Sequence, residues 1–192
     1  MKLNLNYRGN EWVYFGVVAL VLLVLFGDTL ALGADAVSGS DAFTKWDALF
    51  KKYGAQYGVP WRWLKAIAMQ ESQLGADPSV QEGLLNPDDI EGSKSQDGLS
   101  WGLMQVTLKT GQALMPGVTV RDLNNPDTSV KLAAMLLAQL IGTFGIDDRE
   151  SVVRAYNGGP HFGTATLPYY GYFVTHMAII LQTQPGDEME TS

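Results

Sequence analysis

The chain is 192 residues long, 46% hydrophobic and 17% charged, with a formal net charge of −7. That length holds one ordinary domain plus short appendages, and the apolar content argues for a real core against a disordered chain. The negative balance offers no basic footprint for nucleic acid and disfavours docking on anionic lipid through surface charge. The absence of cysteine removes thiol catalysis, disulfide frameworks and thiolate metal sites together.

Residues 1–11 form a short polar N-terminus, and Trp12 to Gly27 then reads WVYFGVVALVLLVLFG without a charge. Continued to residue 33, this run nears the ~20 residues that span a bilayer. Lys2 and Arg8 precede it and Asp28 follows, so residues 12–33 are expected to be a transmembrane anchor with the N-terminus cytoplasmic and the rest outside. Ala34-Asp35-Ala36 has the small-x-small form of a cleavage site, which makes a removed signal peptide the competing reading. Both readings export the remainder.

Residues 34–41 are small and polar, a linker, and the folded domain is expected over residues 42–184. Phe43, Trp46, Phe50, Tyr53 and Tyr57 recur at three- and four-residue steps up to Gly58, which predicts an amphipathic helix. Pro60 suits the first position of a second helix through WRWLKAIAMQES to Gly75. Residues 75–100, rich in Gly, Asp, Asn, Ser and Pro, read as a long irregular segment of the kind that is functional or mobile. A further helix is expected after Gln105. Asn125-Pro126 is a cap and first-turn signal for a long helix whose apolar face runs from Val130 to Phe144. Glu150 to Tyr156 predicts a short helix broken by Asn157-Gly158-Gly159-Pro160, and Tyr172 to Gln182 the last one. Residues 185–192 are a polar tail. Nothing reads as a convincing sheet, so the class is mainly α.

Glu71 is the residue with the clearest chemistry. Leu64, Ile67 and Ala68 precede it by seven, four and three positions, so all four share one helix face. A carboxylate among such neighbours is costly when ionised, which favours a protonated group fit to be a general acid. The competing reading is a helix-end glutamate that reaches solvent. His161 and His176 form no H-E-x-x-H spacing, and no G-x-S-x-G elbow exists. Packing is the plainer role for both histidines.

Glu71-Ser72 closing an A-I-A-M-Q helix, then Gly102-Leu103-Met104-Gln105, then Ala155-Tyr156-Asn157-Gly158-Gly159-Pro160 occur in that order. A Pro-opened helix precedes the first, and N-P-D-x-S-V-K-L-A precedes the last. Together they resemble the soluble lytic transglycosylase and goose-type lysozyme superfamily, over roughly Phe43 to Leu181. The resemblance implies a lysozyme-like α domain with a cleft for the glycan strands of peptidoglycan, needing no cofactor and no metal. It makes Glu71 the catalytic acid/base, with Ser72 beside it holding backbone and carboxylate. Met104 and Gln105 would line the cleft, and Tyr156 and Asn157 would face the sugar next to the scissile bond. Tyr172 best matches the late tyrosine near the acid, with Tyr169 as fallback, because the P-Y-x-E-T spacing is disturbed here. Core packing is the alternative for Tyr156, Trp101 and Met104.

In that superfamily a transglycosylase works with one carboxyl group and yields 1,6-anhydro-muramic ends. A goose-type lysozyme would use a further aspartate before G-L-M-Q to position water. Asp97 lies near where that residue would fall, although an aspartate in such a loop is commonly a turn former. The transglycosylase is the favoured expectation, the Glu71 plus Asp97 hydrolase the alternative, and a non-catalytic peptidoglycan-binding membrane protein the alternative of another class. A small catalytic domain on one anchor suggests local wall opening in the periplasm or outside the cell. Phage entry with a virion-membrane location, a secretion channel and wall growth are all compatible settings.

Overall fold

The computed structural model describes residues 41–96 and 98–185. The expected anchor, the linker to Ser40, Asp97 and the tail from residue 186 lie outside those residues. Among the described residues no helix is long and apolar enough to cross a membrane.

The domain is mainly helical, as expected, but the first expected helix is two. α1 spans Asp41–Thr44 and α2 spans Asp47–Tyr57, with a turn at Lys45 and Trp46 between them. Gly58 ends α2 in the left-handed conformation (φ 68°) that glycine adopts without strain. α3 spans Trp61–Ser72 with Pro60 as its N-cap rather than its first residue. The segment read as irregular holds a helix of its own, α4, at Pro78–Leu85; Asp77 caps it by accepting from Ser79 N–H at 2.9 Å.

A small antiparallel pair follows, unforeseen in the sequence: β1 (Ser100–Trp101) and β2 (Val106–Thr107), with Ser100 opposite Thr107 and Trp101 opposite Val106. α5 (Leu108–Leu114) and α6 (Val120–Asn124) come next, the latter opened by a Thr119/Asp122 capping box. α7 (Pro126–Phe144) starts as the sequence predicts. Asn125 accepts from the N–H groups of Asp127 and Thr128, and Pro126 fills the first turn. α8 covers Arg149–Gly158, and α9 covers Leu167–Thr183, beginning five residues before the expected start because Pro168 opens it.

α3 sits at the centre, packed against α2, α7 and α9. Leu64, Ala66, Ile67 and Ala68 are fully buried, and so is Lys65. Each such Leu or Ile contributes roughly 1.5–3 kcal/mol by leaving water. The helix is therefore buried on nearly every side, and the face shared by Leu64, Ile67, Ala68 and Glu71 is only one part of that burial. α7 supplies Val130, Ala133, Ala134, Leu137 and Leu140 to the same core. Tyr53 O–H and Lys52 Nζ both donate to Asp127, at 2.5 and 2.7 Å, and tie α2 to the first turn of α7.

The buried Lys65 ammonium is answered by a closed set of partners. It donates to Asp47 Oδ1 and to Gln184 Oε1, each at 2.8 Å, while Gln184 Nε2 donates to Asp47 Oδ2 at 2.7 Å. Arg62 adds a bond to the Gln184 carbonyl at 3.0 Å, and the Phe43 ring lies 3.8 Å from the ammonium. Burial pushes the Lys65 pKa down, and the Asp47 carboxylate counters part of that effect.

Candidate active site

The three sequence motifs meet at one backbone loop. Gly102 to Gln105 forms the bend between β1 and β2, and each residue of G-L-M-Q has its own reason to be there. Gly102 has φ 74°, and a Cβ on it would fall 1.9 Å from the Leu123 carbonyl oxygen, so the hairpin can lie on α6 only with glycine at that point. Leu103 and Met104 insert into the core, 1% and 0% exposed. Gln105 closes the bend: its backbone N–H (3.1 Å) and side-chain Nε2 (2.8 Å) both donate to the Gly102 carbonyl, with φ at 47°.

The backbone of this loop holds the other two motifs. Ser72 Oγ is 2.7 Å from the Leu103 carbonyl and 3.1 Å from that of Ala68. A hydroxyl has one proton, and the shorter contact to Leu103 is the better donor bond. The same oxygen accepts from Gly75 N–H at 3.1 Å. On the other side, Tyr156 O–H donates to the Met104 carbonyl at 2.8 Å, and Met104 N–H donates to Ser129 Oγ at 3.1 Å.

Glu71 is the penultimate residue of α3 and is half-buried. Tyr169, in the first turn of α9, donates its O–H to Glu71 Oε1 at 2.5 Å. Burial and the nearby Glu71 charge push both Tyr169 and Tyr156 well above the usual tyrosine pKa. Both phenols therefore stay protonated donors at any pH the protein meets. Among the described residues, Glu71 is the one carboxylate whose charge acts on these two rings.

A family profile described as the Transglycosylase SLT domain matches residues 48–166, a span that contains Glu71, the G-L-M-Q bend and Tyr156. The chain belongs to the transglycosylase SLT family. Neither a curated protein nor a solved structure matches it. Membership carries lytic-transglycosylase-type activity and a peptidoglycan substrate at the level of the family.

Within this SLT domain the expected site residues divide into two groups. Glu71, Tyr156, Gln105 and Asn157 keep chemistry within reach of solvent. Asn157 is exposed and its amide makes no hydrogen bond among the described residues. The Ser72 and Met104 side chains are buried instead: Ser72 is 1% exposed with its hydroxyl engaged on three sides, and Met104 is core, its backbone carbonyl accepting from Tyr156. Trp101 is likewise buried, with its indole N–H on the Ile90 carbonyl at 3.1 Å.

The tyrosine bonded to Glu71 is Tyr169, not Tyr172. Tyr172 is half-buried and makes no hydrogen bond among the described residues. Pro168, next to Tyr169, was the signal that α9 begins early enough to carry Tyr169 in its first turn. Ser129, which accepts from the Met104 N–H, and Trp46, whose indole N–H donates to the Leu74 carbonyl at 2.8 Å, were not expected from the sequence to touch this region. Asp97 lies outside the described residues.

Proposed function

We propose that this protein is a peptidoglycan lytic transglycosylase that cuts the β-1,4 bond between N-acetylmuramic acid and N-acetylglucosamine, with Glu71 as its single acid/base. The observation that supports this most is the pairing of Glu71 with Tyr169 beside the G-L-M-Q bend. One carboxyl group is held by a phenol whose pKa burial and the Glu71 charge push well above its ordinary value. Protonated Glu71 gives its proton to the glycosidic oxygen as the C1–O4 bond breaks. The resulting carboxylate takes the proton of the muramic 6-hydroxyl as O6 bonds to C1. The proton count closes, no water is consumed, and the sugar ends in a 1,6-anhydro ring. Tyr169 O–H strengthens its bond to Glu71 in the charged state between the two transfers, when a donor to a carboxylate is worth most.

The Tyr156 ring offers an aromatic face to a sugar, and Gln105 and Asn157 bring amides that pair with N-acetyl and hydroxyl groups. Residues 12–33 serve as the membrane anchor in this reading. They hold the domain on the outer side of the cytoplasmic membrane, or in a virion membrane, for local wall opening.

Glu71→Gln keeps the size of the side chain but cannot shuttle a proton. Muropeptide release from purified sacculi is expected to fall by at least ~10²-fold, with far-UV circular dichroism unchanged. Mass spectrometry of the wild-type digest is expected to give anhydro ends without solvent ¹⁸O. A folded Glu71→Gln variant with full activity ends the assignment. Reducing ends carrying ¹⁸O, together with a crippled Asp97→Asn variant, would make the enzyme a hydrolase of the goose type instead.

A further inference from the structure

The backbone just after Glu71 follows a course that L-residues resist. Gln73 (φ 51°), Leu74 (φ 57°) and Gly75 (φ 87°) are consecutive residues with positive φ. Glycine takes that conformation freely, but a residue with a Cβ is strained there. Strain of this kind persists only where surrounding structure holds it, and it begins two residues beyond the acid.

Local bonds brace the run: Gln73 N–H donates to the Ala68 and Met69 carbonyls, Gly75 N–H to Ser72 Oγ at 3.1 Å, Asp77 N–H to the Ser72 carbonyl at 3.1 Å and Ala76 N–H to the Gln73 carbonyl at 3.3 Å. One further bond is long-range. The indole Nε1–H of Trp46, in the turn between α1 and α2, donates to the Leu74 carbonyl at 2.8 Å across a sequence separation of 28. The same indole lies against Gly75, where a Cβ would stand 3.4 Å from Nε1. Trp46 thus caps the middle residue of the left-handed run and packs on the last.

We infer that Trp46 is a positioning residue for Glu71. By fixing the Leu74 carbonyl it holds the left-handed run, ends α3 one residue after the acid, and keeps the Glu71 carboxyl on Tyr169. Without the indole donor the run relaxes toward right-handed φ, α3 gains residues, and its end re-aims. This rests on the reading of Glu71 as the acid.

The test uses the full-length chain. Trp46→Phe keeps a ring against Gly75 and removes only the N–H. Its kcat on sacculi is expected to fall ~10-fold with KM within about twofold, the scale of one lost hydrogen bond expressed in the transition state. The ¹³C titration of the Glu71 carboxyl, assigned by its loss in Glu71→Gln, should move as the Tyr169 contact loosens. Gln73 is exposed, so adding Gln73→Gly relieves the strain directly and should bring kcat back to within about threefold of wild type. A Trp46→Phe protein that melts lower but keeps full kcat and an unmoved Glu71 titration overturns the inference. So does a Gln73→Gly addition that restores nothing. If wild-type protein releases no muropeptides, the functional reading falls instead, and the Glu71 titration still reports whether Trp46 positions the carboxyl.

Discussion

His176 makes the stability of this domain depend on pH in a calculable way. It sits on α9, bonded to the Ala66 carbonyl of α3, and its Nδ1 is buried without a hydrogen-bond partner. A charged ring carries N–H on both nitrogens, and the buried Nδ1 has no acceptor for its own. Burial therefore pulls the pKa from 6.5 down to about 4, against a smaller upward pull from the Ala66 carbonyl. Between those values the unfolded chain binds a proton that the native protein does not, so stability falls as pH drops from about 6.5 to about 4 and this group takes nothing further below that. The gap of about 2.5 units corresponds to roughly 3 kcal/mol, a large part of an ordinary domain's ~5–15 kcal/mol. Urea unfolding of wild type and His176→Gln at steps from pH 7.5 to 4 reads it directly. Glutamine can still donate to Ala66 but does not titrate, and the acid-sensitive carboxylates are common to both proteins. The wild-type free energy should converge downward on the variant's, or cross it, by roughly 3 kcal/mol over that range. Parallel curves would refute the buried-neutral account of His176.

Two further outcomes follow from the G-L-M-Q bend. Ser72→Ala leaves the Leu103 carbonyl and Gly75 N–H without their buried partner and is expected to cost about 2–4 kcal/mol in urea unfolding; a loss under ~0.5 kcal/mol would mean that hydroxyl does not join the bend to α3. Gly102→Ala drives a Cβ to 1.9 Å from the Leu123 oxygen at φ 74° and should destabilise by about 3 kcal/mol or more, a wild-type melting curve being the contrary result.

Sequence patterns located the elements that end in side-chain signals and missed those decided by the backbone. Asn125-Pro126, Gly58 and Asn157-Gly158-Gly159 mark boundaries through capping and turn chemistry, and the structure has helix ends at or within a residue or two of them. The apolar spacing from Phe43 to Tyr57 runs unbroken across the turn at Lys45 and Trp46, because the break changes helix direction without changing which residues are buried. β1 and β2 are two residues each, too short for any alternation to register. Asp77-Pro78 did carry a helix-start signal, submerged in the polar stretch around it. The G-L-M-Q motif marked the bend, but not that its Leu103 and Met104 side chains are core while their carbonyls accept from the Ser72 and Tyr156 hydroxyls; a one-letter code names side chains only. Tyr169 and Tyr172 stand three apart in a helix whose start was misjudged, so phase decided between them.

The Lys65, Asp47 and Gln184 triangle has a topological consequence. It brings the first long helix of the domain and the residue just past its last helix within 2.7 Å of each other, so the folded chain is in effect a ring fastened by a polar clasp. A ring can be cut elsewhere. Joining residue 185 to residue 41 through a short flexible bridge, and opening new ends in the exposed Asp147–Asp148 turn, should leave the core and the Glu71 site in register. A pull applied between residues 41 and 185 would load this clasp together with the Phe43 packing that precedes it in the chain.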